Sequence, residues 1–141
     1  MIPVIDLNAE LAKLHMLRDR TPETTRAQRE GSARQLAPYR DGAVFTSKFA
    51  GKGAWECHPV GEELVQIIEG AATLDIVTDA GPQSIEVRAG MMAIVPQGAW
   101  HRFRSPEGVT VMTVTPTPSE HVRIDVEDPR TVELRTIQPR T

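Results

Sequence analysis

Three side chains stand out for their types and spacing: His58 and Glu63 in the block Trp55 to Glu63, and His101 at the end of the block Gly90 to His101. Each block is short and strand-like, and an apolar hairpin separates them. Two imidazoles and a carboxylate brought from separate strands are what a divalent transition-metal site needs. Side chains alternate between the two faces of a strand, so Glu56 points the same way as His58, and Trp55 and Cys57 point the other way. Glu56 is therefore a further candidate, either as a ligand or as a base beside an open coordination position. Glu62 competes with Glu63 for the carboxylate role, and the start of the strand favours Glu63. Cys57, turned away from these groups, reads as a packing thiol.

Such residues need a core behind them. The chain has 141 residues, 40% apolar and 25% charged, which suits one globular domain with no disulfide to staple it. The single cysteine excludes an internal bridge. A net charge of -3 argues against nucleic-acid partners, which need a basic stripe. Basic residues do gather between Arg18 and Arg40, but Asp19, Glu23 and Glu30 interrupt them, and they read as solvated surface. No apolar run approaches the ~20 residues that would span a membrane, and the N-terminus does not read as a secretory signal. The expectation is a cytoplasmic protein with no membrane partner.

The elements follow from periodicity. Leu7, Leu11, Leu14 and Leu17 recur at helical spacing behind Asn8 as cap, and Thr21-Pro22 starts a second short helix. From Arg34 onward the pattern favours strands, with turns at Asp41-Gly42, Gly51 to Gly53 and Asp79 to Pro82. Strands are expected at 63 to 69, 71 to 78, 83 to 88, 91 to 95, 99 to 104 and 109 to 115. Short strands with compact turns read as an antiparallel sandwich or small barrel. The division expected is a helical extension over 1–33, a barrel over 34–118 and a tail over 119–141, its alternating runs at His121 to Val126 and Val132 to Ile137 adding edge strands. His121 carries no motif. The leucine stripe, the outward Trp55 and Trp100 and the tail offer enough apolar surface to predict a homodimer.

The spacing of the two blocks resembles the signature motifs of the cupin superfamily. In the first motif His58 takes the second histidine position, followed by four residues, Glu63, six residues and Gly70. In the second, Gly90, Pro96, Gly98 and His101 match position for position, and Ser105 stands where asparagine is common. The resemblance implies an all-β antiparallel jelly-roll barrel with the N-terminal helical extension outside it. By position it implies Glu56, His58, Glu63 and His101 as metal ligands. Glu56 replaces the family's first histidine, and two carboxylates with two imidazoles favour Fe(II) or Mn(II), with zinc or nickel possible. The resemblance further implies an enzyme on a small organic molecule, of dioxygenase, isomerase or cyclase type, with Glu56 as its catalytic candidate. The alternative is a cupin that binds or senses a small ligand without turnover.

Overall fold

The computed structural model describes residues 2–132 and 137–139. Among the described residues the one α-helix is α1 (Leu7–Ala12), followed by strands β1 (Leu17–Arg20), β2 (Ala33–Tyr39), β3 (Gly42–Lys52) and β4 (Trp55–Cys57). Then come β5 (Glu63–Thr78), β6 (Gly81–Arg88), β7 (Met92–Val95), β8 (His101–Pro116), β9 (Glu120–Val122) and β10 (Ile137–Pro139). All belong to one curled sheet in which β8 is the hub, pairing with β3, β4 and β5. Every pairing between strands is antiparallel except that of β1 with β3, which is parallel.

Two strands run through residues expected to break them. β5 continues past Gly70 and β8 past Ser105 to Gly108, each for 16 residues. The breaks expected there are bulges: along β3, the partner of β8 jumps from Phe49↔Val109 to Gly51↔Ser105. Gly70 has φ 77, and a Cβ there would lie 2.3 Å from the Gly108 carbonyl oxygen, so close approach of the two strands requires glycine. The extra residues also change which side chains face inward. Along β5 the buried set passes from Glu63, Val65 and Ile67 to Ala72 and Leu74, as a one-residue slip dictates. Ser105 fastens the bulge of β8, its Oγ donating to Ala71 O at 2.6 Å and accepting from Gly108 N at 3.1 Å. The core is Phe49, Val65, Ile67, Ala72, Val87, Val95, Val109 and Val111.

The N-terminal region differs from its expected form. Asp6, not Asn8, caps α1, accepting from Ala9 N at 3.1 Å, and the helix ends after six residues. A helix this short has little stability of its own. Leu11 anchors it by burial, while Leu17 leaves the helical stripe to pair with Phe49 in β1. No second helix forms at Thr21. Thr24 Oγ1 accepts from Thr21 N at 2.9 Å, and Thr25 and Gln28 bond reciprocally, which turns the chain.

Trp55 is the other correction. It faces away from the cavity but is only 1% exposed, because the chain after β9 covers it. Its Nε1 donates to Val126 O at 2.8 Å, and the Arg102 guanidinium lies 4.5 Å from its ring centroid. Trp55 therefore offers nothing to a partner subunit. The tail continues the sheet beyond β4, with β9 between β4 and β10. Residues 133–136, within the run expected at Val132 to Ile137, lie outside the described residues.

Candidate metal centre

β4, β5 and β8 bring the four expected side chains together. Glu56 of β4 pairs directly with His101 of β8, His58 follows at the end of β4, and Glu63 opens β5. The Pro96 to Gly98 turn ties the two motifs, since Gly98 N donates to His58 O at 3.0 Å and Gln97 Nε2 to Pro59 O at 2.8 Å. Each of Glu56, His58, Glu63 and His101 offers one donor atom within 4.8 Å of the others. Glu62 is exposed and outside the cluster.

The contacts inside are short and convergent. His101 Nε2 lies 3.0 Å from Glu63 Oε1 and 3.3 Å from Glu56 Oε1. His58 Nε2 lies 3.2 Å from Glu63 Oε2 and 3.5 Å from Glu56 Oε1. Neighbouring donors on an ion with bonds of about 2.1 Å sit roughly 3 Å apart, so the spacing suits one divalent cation. His58 Nε2 is buried, and its contacts with the two carboxylates, at 3.2 and 3.5 Å, are poorly aligned for hydrogen bonds, an arrangement that a further group bound there would improve. The donor set therefore fits a metal ion.

The outward side of each ligand candidate is held as well. His101 Nδ1 is 3.0 Å from Ala99 O, and His58 Nδ1 is 2.8 Å from Ser119 Oγ. A proton on Nδ1 given to a carbonyl leaves Nε2 as the inward donor. Thr115 Oγ1 donates to Glu63 Oε2 at 2.6 Å, and Thr113 stands behind Thr115 at 2.8 Å. Thr113 and Thr115 share the alternation of His101 along β8, which the break expected at Ser105 to Gly108 hid from the sequence. His121 is different. β9 sets it opposite Glu56, with Nε2 3.3 Å from Glu56 Oε2, and nothing near it in the sequence signals that position.

Charge is balanced locally. Burial works to raise the Glu56 carboxyl, but the facing imidazoles of His101, His121 and His58 prevail and hold it well below the usual range. Glu63 is lowered for the same reasons, with burial opposing and His101 and His58 prevailing. Burial would lower His58 and His101, yet the facing carboxylates of Glu56 and Glu63 raise them to about 9 and about 10. Burial, with Glu120 and Glu56 nearby, pushes the Cys57 thiol up to about 11, so it stays protonated at neutral pH, as a packing thiol should.

These shifts give a pH prediction for the metal-free protein. The raised histidines contribute stability that is complete below an unfolded value of ~6.5 and is lost as pH rises through about 9 to about 10. The lowered glutamates contribute above ~4.3, and that part is lost as pH falls through their folded values. The chelator-treated protein should therefore melt at its highest temperature between about pH 4.5 and 6.5. Its melting temperature should fall steadily from pH 7 to 10, and a flat profile over that range would show that the imidazoles are not paired with the carboxylates.

The cluster opens into a cavity of about 1210 Å³. Glu56 and Glu63 line it, together with Phe103, Val111, Thr113 and Thr115 from β8. The Phe103 ring meets His101 edge-on, with centroids 6.5 Å apart, as the alternation of β8 predicts.

Comparison with known proteins agrees with this fold. The family described as the cupin domain matches residues 44–115, a span that holds both motifs. No curated protein sequence matches the chain. Among solved structures, a cupin-2 domain containing protein from Shewanella frigidimarina is similar at 24% identity and a TM-score of 0.59, over 81% of this chain and 95% of that one. A Neisseria meningitidis protein is similar at 21% identity and 0.60, over 82% and 100%. A hydroquinone 1,2-dioxygenase solved with Cd2+ and 4-hydroxybenzonitrile matches at 15% identity and 0.53, over 59% and 62%. At these identities the likeness is one of fold.

Proposed function

The chain belongs to the cupin domain family, and from that premise we propose a metal-dependent enzyme that acts on a small organic molecule. A divalent ion would be held by Glu56, His58, Glu63 and His101. The observation that carries the reading is the convergence of two imidazole nitrogens and two carboxylates at 3.0 to 3.5 Å where a cavity of about 1210 Å³ begins. Two carboxylates and two imidazoles favour Fe(II) or Mn(II) over zinc or nickel. Such an ion supplies a Lewis acid or a redox centre for oxygenation, isomerisation or cyclisation.

The protein's own groups divide the remaining work. Ala99 O and Ser119 hold the two imidazoles, and Thr115 holds Glu63, so these three form a rigid base. Glu56 is the most open of the four, with its side chain 24% exposed against 0 to 3% for the others, and it reaches both cluster and cavity. Its Oε1 faces the imidazoles and its Oε2 faces His121. Held this way, Oε1 is a ligand and His121 orients it, as partners behind a ligand commonly do. The same contact gives Glu56 a neighbour that can receive a proton taken from a substrate in the cavity.

Glu56→Gln tests the ligand role. It should weaken divalent-metal binding by roughly 10-fold or more, whereas Glu56→His, which restores the family's usual donor, should keep the metal. Metal analysis of both proteins, purified without chelator or affinity-tag metal, reads the result. A Glu56→Gln protein with full metal content would remove Glu56 from the ligand set and leave it only the role of base. Wild-type protein that takes up no divalent ion under the same conditions would overturn the metal-dependent reading as a whole.

A further inference from the structure

Two hydroxyls of β8 form a chain whose direction is fixed. Thr115 Oγ1 donates to Glu63 Oε2 at 2.6 Å, and Thr113 Oγ1 lies 2.8 Å from Thr115 Oγ1. A hydroxyl carries one proton, and a carboxylate that pairs with imidazoles or holds a cation only accepts. The Thr115 proton therefore goes to Glu63, and Thr113 must give its own proton to Thr115. Thr113 Oγ1 is left with lone pairs and nothing to donate. Its hydrogen bond to Thr115 is its only one among the described residues, and the side chain lines the cavity.

The surroundings of this acceptor are apolar. Phe45 stands opposite Thr113 on β3 and Val65 opposite it on β5, and Val111 shares its face two residues along β8. Phe45 and Val111 line the cavity, as do Phe49 and Phe103, so all three phenylalanines of the chain stand around one space. Aromatic walls with one placed polar group suit a ring-bearing ligand held in a single orientation. We propose that this cavity takes a molecule with an apolar ring body and a hydroxyl group, and that Thr113 selects it by accepting a hydrogen bond from that hydroxyl. The body packs on Phe45 and Val111, and the hydroxyl sits at the end of the chain that leads through Thr115 to Glu63. A molecule of the same shape without a donor would cover Thr113 and leave its oxygen unpaired. Sites built on such a bond reject the analogue that lacks it. The proposal rests on the reading of this cavity as the substrate site, and it names the class of substrate.

The test uses 2-naphthol and its methyl ether, 2-methoxynaphthalene, titrated into the full chain and followed by fluorescence. Each is run on chelator-treated protein and again after one equivalent of Mn(II). The ether has the larger apolar surface, which alone would favour it. The naphthol should nevertheless bind about tenfold or more tightly in both forms, the loss expected for a stranded acceptor. In Thr113→Val, which keeps the side chain's shape and removes the oxygen, the two probes should bind about equally or the ether more tightly. Thr113→Ser, which keeps the oxygen, should retain the preference. Circular dichroism checks that both variants keep the sheet. A preference that depends on Thr113 in the chelator-treated protein supports the proposal even if no divalent ion binds, so this inference and the metal-dependent reading fail separately. An ether that binds wild-type protein as tightly as the naphthol, a preference that persists in Thr113→Val, or no saturable binding of either probe would overturn it.

Discussion

His101→Ala is expected to lose more than about 100-fold in divalent-metal affinity while keeping its strands, since even groups that merely orient a ligand are worth roughly 10- to 100-fold. His101 is 0% exposed, so no other side chain can reach its place from solvent. It stands within 3.0 Å of Glu63 and 3.3 Å of Glu56, and its Nδ1 is 3.0 Å from Ala99 O, which aims Nε2 inward. Removing it takes away one of two neutral donors and leaves Glu63 with His58 alone, while Glu56 keeps His58 and His121. Without metal, that loss breaks a buried ion pair, at a cost of about 3–5 kcal/mol. Far-ultraviolet circular dichroism establishes that the sheet survives, and metal analysis of the folded protein gives the result. Glu63→Gln tests the same centre at constant side-chain volume and should also lose the metal. Unchanged metal content in both proteins would remove this cluster as the binding site.

The four central residues were legible because local rules fix them. Strand parity puts Glu56 beside His58, and the motif spacing puts Glu63 and His101 at strand starts. The same parity places Phe103 with His101. Thr113 and Thr115 join them only because the bulge at Ser105, where a break was expected, keeps odd residues of β8 inward. The hidden features depend on contacts between distant parts of the chain. His121 meets Glu56 only because β9 returns to pair with β4, and the alternation from His121 to Val126 does not say which strand it pairs with. Trp55 is buried by a carbonyl 71 residues away. The arginines before β2 alternate with acids in sequence, so they read as solvent-facing until the turn between β1 and β2 brings several to the cavity. Leu17 fits a helical stripe equally well, and the pairing with Phe49 decides otherwise, as tertiary contacts commonly override a weak helix.

Asp75→Ala is expected to destabilise the fold by about 3–5 kcal/mol, because it breaks a buried ion pair from one side. Asp75 is 4% exposed and Arg102 is 6% exposed, on the outer side of β5 and β8. Asp75 Oδ2 accepts from Arg102 Nε at 2.9 Å and from Arg104 Nε at 2.7 Å, while Oδ1 accepts from Arg104 Nη2 and Ser84 Oγ. Burial works against the charge, but the Arg104, Ser84 and Arg102 bonds hold this carboxyl down at about 2. Its contribution is therefore complete above the ordinary aspartate range near ~3.9 and is lost only as pH falls through about 2. The effect reaches the site's outer cover. Arg102 also donates to Val126 O at 3.1 Å and lies over Trp55, so Asp75 steadies the cation that clamps the tail onto β4. In Asp75→Ala the melting temperature at neutral pH should drop by roughly 10 °C or more, and Trp55 should become more accessible to a fluorescence quencher. The second variant Asp75→Ala/Arg102→Met removes the stranded cation as well. Replacing a buried pair with apolar side chains is often near neutral, so the double variant should recover a clear part of the loss. A double variant that loses the sum of the two single losses would show no coupling between Asp75 and Arg102, and the clamp would not be what holds the tail.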